Sequence, residues 1–512
     1  MEVAIIGAGI SGLAAAVTLV RSGFERITIY EAQDYIGGRI KSIKHDDGYL
    51  ELGAQWVHGQ EGNKVFEMAS QRDLIAPDAS VEGEGHFCTQ NGQKIDYNLV
   101  NQVIIFLDTI KTSLSNGDYK KDFQRVLNNG VDNNLDSSNL PDVISVGEVF
   151  RTAFGKWIAG KKFKSPQDAK LTQGIFDWFI KFESIDNSCS SLDQLSAMSY
   201  ANYHECDGVP LNNFKSGYSS FINSLVEDIP QVLIKTSCPI SQIIYPSKSS
   251  NNCNQVTLIL EDGSIVNPNH VIITNPIGFL KNNMDTFFQP QLPLNKRLII
   301  STMGFDSVNK IYMVFEKPFW QPCDLGFQLI WCNDNGKIIN NDDEQEYPPW
   351  VYDVSGIDTV YGQPNILVAW IGRKGAELIE KEDDQSLITI FHSLLTNFLS
   401  SVIHHNEIPK PVRIIRSAWY SNNYICGSYS HRTVNFAKLN ASLDELTKPL
   451  TISYQLEQLN SKTIDWPLVL FAGEATEEKY FSTTHGALLS GIRESNQQSI
   501  GDRTLKKQKL SG

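Results

Sequence analysis

The order of apolar and polar positions is most informative at the start of the chain. A short apolar run, Val3–Ile6, leads into glycine residues and then into an alanine-rich stretch from Leu13 to Ser22. A second apolar run, Ile27–Tyr30, follows and ends on Glu31. Short apolar runs beside glycine are typical of buried strands, and the alanine-rich stretch between them favours a helix. The sequence therefore predicts a β–α–β unit at this end of the chain.

Further short apolar runs, bounded by turn residues, predict strands along the rest of the chain. They cover residues 240–244, 255–260, 271–274, 310–315, 366–371 and 468–471. We expect the first three to be joined by tight turns, one of them at Asp262 and Gly263, and the last to lead into a helix near His485. Polar stretches predict two loops and a flexible tail, at residues 128–139, 332–348 and 501–512.

The glycines between the first strand and helix form a Gly-x-Gly-x-x-Gly pattern. Gly7 allows a sharp turn, Gly9 leaves room for a pyrophosphate, and Gly12 lets the helix pack closely on the strand. Ser11 lies in the same turn, at the helix N terminus whose N–H groups attract phosphate. Glu31 ends the second strand, where a carboxylate accepts hydrogen bonds from ribose hydroxyls. This arrangement predicts a dinucleotide site, and the alternative is a tight strand-to-helix turn without a ligand.

A second glycine pair, Gly37 and Gly38, follows with Arg39. This pattern differs from that of nicotinamide enzymes and resembles that of FAD-binding oxidases. A guanidinium at this place suits an anionic oxygen because it forms paired, charge-assisted hydrogen bonds. The alternative for Arg39 is a surface salt bridge.

Length and motif order predict an α/β (α+β) fold with two interleaved domains. A chain of 512 residues is too long for one hydrophobic core. We predict a discontinuous, Rossmann-like FAD-binding domain from residues 1–60, 206–290 and 461–500. Residues 61–205 and 291–460 are predicted to form a substrate-binding domain of mixed sheet and helices.

Composition narrows the partners and the compartment. The formal net charge is −14, which disfavours nucleic acid and is compatible with a cationic substrate in an acidic cleft, although solubility alone also explains it. The 8 cysteines are scattered without a Cys-x-x-Cys pair, so we expect reduced thiols and neither a zinc site nor disulfides. The first strand follows Met1 directly, no apolar run reaches membrane-spanning length, and the last residues are not a Ser-Lys-Leu address. We therefore expect a cytoplasmic protein.

Several longer motifs identify a family resemblance. Residues 50–59 read LELGAQWVHG, and residues 468–491 contain LVLFAGEAT followed by YFSTTHGALLSG. With the N-terminal pattern, these resemble the flavin-containing amine oxidases, and most closely the animal spermine oxidases and acetylpolyamine oxidases. Shorter matches lie at residues 275–280, 309–311, 318–320 and 427–430. The resemblance covers residues 2 to about 495 but is poor at 100–190 and 332–348.

The resemblance implies the cofactor and its contacts. The cofactor is FAD, held by Gly7, Gly9, Ser11, Gly12, Glu31, Gly38, Arg39, Gln55, Trp56, Ile240, Trp419, Tyr424, Gly473, Glu474, Thr483 and Thr484. Monoamine oxidases attach flavin through a cysteine at the position of Ser428, so the resemblance implies non-covalent FAD here. Thr483 and Thr484 could also cap the helix that follows them.

Two residues are implied to assist catalysis. By resemblance, Lys310 holds a water near flavin N5. The strand pattern agrees, because Lys310 alternates with an apolar row and a buried lysine needs partners; the alternative is an exposed edge lysine. His58 matches a position that faces the substrate amine, where a neutral imidazole accepts from an ammonium group. The alternative for His58 is a structural histidine.

The implied substrate contacts are His58, Asn202, Tyr203, Glu205, Tyr429, Ser482 and Thr483. Trp419, Tyr424 and Tyr429 match aromatic positions that suit an alkylammonium through cation–π attraction. Glu205 could pair with a distal ammonium group. Many relatives carry glutamate where this chain has Asn202, so the number of recognised charges is open.

The resemblance implies an FAD-dependent polyamine oxidase, which we expect to be cytoplasmic and monomeric. It would oxidise spermine or N1-acetylated polyamines by hydride transfer to flavin, with oxygen as acceptor, and release a shorter polyamine, an aminoaldehyde and hydrogen peroxide. One alternative is a monoamine or amino-acid oxidase, the latter requiring an arginine clamp that we do not locate. The other is a lysine-demethylase-like chromatin enzyme, which would carry a long coiled-coil insertion that this sequence lacks.

Overall fold

The computed structural model describes residues 1–117, 143–246, 255–332, 347–403, 408–440, 442–456 and 462–510. The loop predicted at 128–139 and residues 333–346 of the second predicted loop lie outside these ranges, as does Cys253.

The strands of the described chain are short, and most belong to one of two six-stranded sheets. They are β1 (Glu2–Ile6), β2 (Arg26–Tyr30), β3 (Ser42–His45), β4 (Gly48–Glu51), β5 (Val57–His58), β6 (Ile75–Ala79), β7 (His86–Thr89), β8 (Leu211–Phe214), β9 (Leu233–Lys235), β10 (Ile240–Ile244), β11 (Thr257–Leu260), β12 (Ile265–Val266), β13 (His270–Ile273), β14 (Phe288–Gln289), β15 (Gly304–Asp306), β16 (Asn309–Val314), β17 (Gly326–Ile330), β18 (Val354–Val360), β19 (Gln363–Ile371), β20 (Arg413–Arg416), β21 (Tyr429–His431), β22 (Leu450–Leu456) and β23 (Lys462–Phe471).

The helices are α1 (Ile10–Arg21), α2 (Lys64–Gln71), α3 (Tyr97–Ser115), α4 (Val146–Ala159), α5 (Pro166–Asp186), α6 (Ala197–Tyr200), α7 (Ser219–Glu227), α8 (Ile277–Phe287), α9 (Leu294–Thr302), α10 (Arg373–Ile379), α11 (Asp384–Leu399), α12 (Val434–Lys438), α13 (Asp444–Thr447) and α14 (Thr484–Leu510). Short 3-10 turns cover Pro349–Asp353 and Glu474–Thr476. Among the described residues, no helix combines the length and the apolar character needed to cross a bilayer.

The first large sheet carries the predicted dinucleotide unit. Its order is β22-β23-β13-β1-β2-β9, and β1 lies parallel between β13 and β2. Alternate residues of β1 enter different cores, since Val3 and Ile5 pack with α1 while Ala4 and Ile6 pack on the opposite face. The carboxyl ends of these parallel strands form the edge at which ligands bind in such sheets.

The strands predicted between residues 240 and 274 divide between two sheets. β10, β11 and β12 pair as antiparallel neighbours, with the predicted turn between the last two. β13 instead pairs parallel with β1 and β23. Every residue of β13 is buried, which is typical of a central strand covered on both faces. β13 therefore belongs to the first large sheet, an assignment that the sequence prediction of these strands did not make.

The second large sheet has the order β20-β16-β19-β18-β17-β7. On β16, Ile311 and Met313 pack in one core with α11, while Tyr312 and Val314 pack in another on the opposite face. Lys310 shares the parity of Tyr312 and Val314, so it lies on the face that the alternating pattern predicted. A separate core of aromatic and aliphatic side chains joins α3, α4 and α5.

The cores do not follow the predicted segment limits. Val65 and Ala69 of α2 pack in the core around α1, past the limit at residue 60. Ile299 of α9 and Leu450 of β22 pack in the core beneath β13, although the limits were set at 290 and 461. Those limits were placed at the edges of motifs, whereas the cores are defined by apolar side chains outside the motifs. The mixed α/β architecture itself agrees with the prediction.

The end of the chain also differs from the prediction. Helix α14 continues to Leu510, so residues 501–510 are helical rather than a tail without structure. This segment contains no proline, and its lysine, glutamine, arginine and leucine residues favour helix.

Candidate active site

A cavity of about 820 Å³ brings the predicted site residues together from distant parts of the chain. Its lining includes Gly7, Gly9, Ser11, Glu31, Gly38, Arg39, Gln55, Trp56, His58, Tyr203, Glu205, Ile240, Lys310, Trp419, Tyr424, Tyr429, Gly473, Glu474, Ser482, Thr483 and Thr484. A volume of this size is typical of a small-molecule or cofactor site. Among the described residues, no group of three or more histidine, cysteine or acidic side chains is arranged to hold a metal ion.

Two of the predicted residues do not line this cavity. Gly12 lies against β1, where an added Cβ would meet the Gly7 carbonyl oxygen at 2.0 Å. That contact fits its predicted task of close helix–strand packing. Asn202 is exposed and does not reach the cavity. Asn202 lies in the turn that follows α6, where its N–H donates to the Ser199 carbonyl oxygen at 3.1 Å, whereas Tyr203 and Glu205 line the cavity.

The glycine-rich turn is shaped to receive a ligand. Gly7 has φ +103°, a conformation that other residues rarely adopt. A Cβ on Gly9 would lie 3.9 Å from its nearest protein atom, the Gly37 carbonyl oxygen, so the absent side chain leaves open space towards the cavity. Gly9 also precedes α1 without a side-chain cap, which leaves first-turn N–H groups available to an anion.

Glu31 is buried at the end of β2, and both of its oxygens are fixed. The Ala8 N–H donates to Oε2 at 2.7 Å, and the Gln33 N–H donates to Oε1 at 2.9 Å. Burial raises the pKa of Glu31, while these backbone hydrogen bonds act in the opposite direction. A carboxylate has further acceptor positions on each oxygen, so ribose hydroxyls can still donate to it. These features fit the adenosine and pyrophosphate parts of a dinucleotide.

Arg39 and Glu474 join three segments of the cavity wall. Arg39 Nη1 donates to Glu474 Oε1 at 2.9 Å and to the Ser428 carbonyl oxygen at 2.8 Å. Glu474 Oε2 accepts from Ser430 Oγ at 2.6 Å and from the Ser482 N–H at 2.9 Å. The ion pair is therefore internal and is not the surface salt bridge considered from the sequence. Within the described chain, Arg39 Nε and Nη2 have no protein partner, so they remain available to an anion.

Lys310 is buried and held by three oxygen atoms. Its Nζ donates to the Glu51 and Gly53 carbonyl oxygens at 2.9 and 2.8 Å and to Gln55 Oε1 at 2.7 Å. Burial lowers the pKa of Lys310 to about 7, although Glu51 and Glu82 favour its charged form. The exposed edge lysine considered from the sequence is excluded by this burial.

Aromatic side chains form much of the wall beside Lys310. Trp56 stacks on Trp370 with 5.6 Å between ring centroids, and Lys310 Nζ lies 4.5 Å from the Trp370 centroid. Trp419 Nε1 donates to the Leu52 carbonyl oxygen at 3.0 Å, and Tyr429 Oη donates to that of Ile185 at 2.9 Å. Trp56 Nε1 is buried without a partner among the described residues, which leaves a donor facing a site that a ligand can fill.

His58 presents its side chain to the cavity interior. Burial within the molecule lowers its pKa, while the carboxylates of Asp186 and Glu205 act in the opposite direction. The imidazole is therefore neutral near pH 7, and it can accept a hydrogen bond from an ammonium group.

Thr483 and Thr484 serve the helix and the cavity together. Thr483 Oγ1 accepts from the Gly486 N–H at 2.9 Å, which caps the first turn of α14, while Thr484 bonds the Tyr218 hydroxyl. Both threonines line the cavity. The two interpretations considered from the sequence are therefore compatible.

The cavity also contains charged groups that the sequence analysis did not select. Glu82, Asp108, Lys111 and Asp186 line it together with Glu205. Burial raises the pKa of Glu82 well above its usual range, and Asp186 and Asp358 add to that effect. Polar residues at helical spacing on the otherwise apolar helix α3 could have indicated Lys111 in the sequence. No local sequence pattern indicated Asp186, which is the last residue of α5.

Comparison with known proteins identifies the family. The profile of the family described as flavin containing amine oxidoreductase matches residues 10–497. A human peroxisomal N(1)-acetyl-spermine/spermidine oxidase is 30% identical over 97% of this chain and 94% of its own length, and its bovine counterpart is 28% identical with the same coverage. The structure of a redesigned putrescine oxidase double mutant superposes with a TM-score of 0.64 at 16% identity, covering 97% of this chain and 98% of the other. The fold and FAD predictions are confirmed, and the chain belongs to the flavin containing amine oxidoreductase family, whose members are amine-oxidising enzymes.

Proposed function

We propose that this protein is a polyamine oxidase that uses oxygen as its second substrate. One observation carries the proposal: the carboxyl groups of Glu82, Asp186 and Glu205 line the same cavity as the buried Lys310 and the glycine-rich turn. Carboxylates along an aromatic-walled cavity suit an aliphatic chain with several ammonium groups. The names of the human and bovine relatives, which are acetyl-spermine/spermidine oxidases, support the same substrate class.

The residues around the glycine-rich turn suit FAD. We propose that the N terminus of α1 and Arg39 bind its pyrophosphate and that Glu31 accepts from its ribose. Bound FAD would supply the two-electron acceptor for the amine and then reduce oxygen to hydrogen peroxide.

We propose that FAD is held without a covalent bond. Among the described residues that line the cavity there is no cysteine. Ser428 Oγ is bonded to the backbone of Val308, donating to its carbonyl oxygen at 3.0 Å and accepting from its N–H at 2.8 Å. Precipitation with acid should release all of the flavin into the supernatant. Flavin that stays with the protein pellet would contradict this part.

The side chains facing the substrate would position the reacting amine. Neutral His58 can accept from an ammonium group and so favours one protonation pattern along the polyamine. The rings of Trp419 and Tyr429 exclude water from the reacting C–H bond. Oxidation at a secondary amine gives an imine, and its hydrolysis gives an aminoaldehyde and a shorter polyamine.

Lys310 has a proposed task that depends on its protonation state. As an ammonium group it uses all three N–H donors on protein oxygens. As a neutral amine it has one lone pair that can accept a hydrogen bond from a water molecule. Because its pKa lies at about 7, both forms exist near neutral pH, and the neutral form can hold a water in the cavity.

The experiment measures peroxide release from purified, FAD-loaded protein. The substrates are spermine, N1-acetylspermine, spermidine, benzylamine, an L-amino acid and a methyl-lysine peptide, with products identified by mass. We expect activity with polyamines and bleaching of the flavin by them without oxygen. Activity confined to benzylamine, to the amino acid or to the peptide would instead establish one of the alternatives.

Cytoplasmic location and a monomeric state complete the proposal. The human relative is named as peroxisomal, so cell fractionation is a direct test of the first. Light scattering of the FAD-loaded protein tests the second, and a dimer mass would contradict it.

A further inference from the structure

One wall of the cavity is a polar face of helix α3. Asp108, Lys111, Thr112 and Ser115 line the cavity at a spacing that places them on one side of a helix. The opposite side of α3 packs into the core with α4 and α5. These helices belong to residues 100–190, where the family resemblance is poor.

Lys111 is a fixed cation within this wall. Its Nζ lies 2.7 Å from Glu183 Oε1 and 3.7 Å from Asp186 Oδ2. The Glu183 side chain is 2% exposed, whereas that of Asp186 is 46% exposed and faces the cavity. Burial opposes the charge of Lys111, but the attraction of Glu183, Tyr200 and Asp186 outweighs burial and raises its pKa well above the usual range. Lys111 therefore stays charged at neutral pH.

Asp186 is the carboxylate that connects Lys111 with the reacting part of the cavity. Its charge favours protonation of His58 and Glu82, and it raises the pKa of Tyr203. An ammonium group of a substrate that approaches Asp186 must share it with Lys111, and two cations at one carboxylate repel each other.

Among the other carboxyl groups that line the cavity, Glu205 is a further counter-charge, whereas burial weakens Glu82 and Asp108. Burial raises the pKa of Glu82 well above its usual range, which weakens its attraction for a cation. Burial also raises the pKa of Asp108. A polyamine that is charged at both ends therefore enters a cavity in which Lys111 reduces the net attraction for cations.

We propose that Lys111 is a specificity-determining residue that limits the number of ammonium groups accepted, so that polyamines with a neutral, acylated end are favoured over those charged at both ends. The inference rests on the proposed function. It assigns a task to a residue outside the family motifs, and it predicts the direction in which the substrate preference changes when the lysine is removed.

The test compares spermine with N1-acetylspermine in two variants. Lys111→Met removes the cation, and the double variant Lys111→Met with Glu183→Gln removes both members of the pair, so that no buried carboxylate is left alone. In Lys111→Met, we expect the kcat/KM ratio of spermine to N1-acetylspermine to rise about tenfold, because one unit of positive charge beside Asp186 is lost. The double variant also loses the negative charge of Glu183, so its ratio should rise in the same direction but by only about threefold. Most of the change should appear as a lower KM for spermine. Adding Asp186→Asn to the double variant should cancel the gain.

A matched control is available on the surface. Lys64 pairs with Glu67 at 2.9 Å, and neither residue lines the cavity. The variant Lys64→Met with Glu67→Gln makes the same change in composition and should keep the wild-type ratio. Neither double variant changes the net charge of the chain, so a ratio that moves in both would indicate an effect that is not particular to Lys111.

The outcomes separate the inference from the proposed function. If wild-type protein oxidises both polyamines and the folded, FAD-loaded double variant keeps the wild-type ratio within about twofold, the assignment of Lys111 is wrong and the function stands. If wild-type protein oxidises only monoamines or amino acids, the proposed function is wrong and the inference fails with it.

Discussion

The substitution Glu474→Gln tests how the cavity wall is held together. Glu474 is 4% exposed, and its two oxygens only accept. Oε1 accepts from Arg39, and Oε2 accepts from Ser430 and Ser482. Glutamine has the same shape but replaces one oxygen with an NH₂ group, which only donates. One side of the amide must therefore place a donor against another donor.

The expected cost follows from these contacts. Glutamine carries no charge, so the ion pair with Arg39 is lost in either orientation, which costs about 3–5 kcal/mol when only one partner of a buried pair is removed. If the NH₂ faces Arg39, two donors also meet. If it faces Ser482, the N–H of that residue loses its acceptor. Ser482 has φ +66°, a left-handed conformation that costs a non-glycine residue about 1–2 kcal/mol and needs such a bond to persist. Either orientation disturbs the residues that begin α14 at the cavity.

The assay is FAD titration of the apoprotein, followed by flavin fluorescence, together with thermal unfolding. Each 1.4 kcal/mol lost from the FAD-binding state weakens binding about tenfold, so we expect a loss of about a hundredfold or more. Glu477→Gln is the matched control, because Glu477 pairs with Arg493 at 3.2 Å in a more exposed place and should cost less than about 1 kcal/mol. Equal FAD affinity and equal melting temperatures in the two variants would refute the structural role of Glu474.

Three further predictions follow from the site. Burial lowers the pKa of Lys310 to about 7 in the folded protein, from an ordinary value of 10.5, so its burial costs most stability below pH 7 and less as pH rises towards 10.5. The melting temperature of wild type relative to that of Lys310→Met should therefore rise between pH 7 and 9.5. A constant difference would contradict this. His58→Leu should lower kcat/KM for polyamines about tenfold or more, while His58→Gln, which keeps an acceptor, should lose less; equal losses would remove the hydrogen-bonding role. Gly9→Ala should fold but bind FAD weakly, because its Cβ enters the cavity. Gly12→Ala should destabilise the apoprotein, because its Cβ meets the Gly7 carbonyl oxygen at 2.0 Å. Melting of the apoprotein and FAD titration separate the two effects.

The cofactor end of the site was predictable because its signals are local. Gly7, Gly9 and Glu31 lie in one β–α–β unit, where the order of strand, turn and helix fixes their relative positions. Lys310 was predictable for a similar reason, since the parity of a strand assigns its side chain to one face. Asn202 does not line the cavity; it was predicted because its motif was matched as a block, while only Tyr203 and Glu205 of that segment reach the lining.

The charged groups at the other end were not predictable from local pattern. Glu82, Lys111 and Asp186 come from a loop, from the middle of α3 and from the last residue of α5. Their proximity depends on how the helices pack, which the sequence reports only through the polar stripe on α3. The same limit applies to β13, whose place between β1 and β23 depends on burial of both its faces.

The residues at the cofactor end and the charged residues at the other end have different tasks in the cavity. Holding a dinucleotide requires backbone N–H groups and glycines at fixed positions, so few sequences satisfy it, and the motif is easily recognised. Selecting among amines requires only the right net charge beside a carboxylate. A single lysine on a packed helix can change that charge by one unit without moving the backbone. We propose that Lys111 makes that change in this chain. Substrate preference can therefore differ between relatives that share the whole cofactor site, and it has to be read from the helices that cover the cavity.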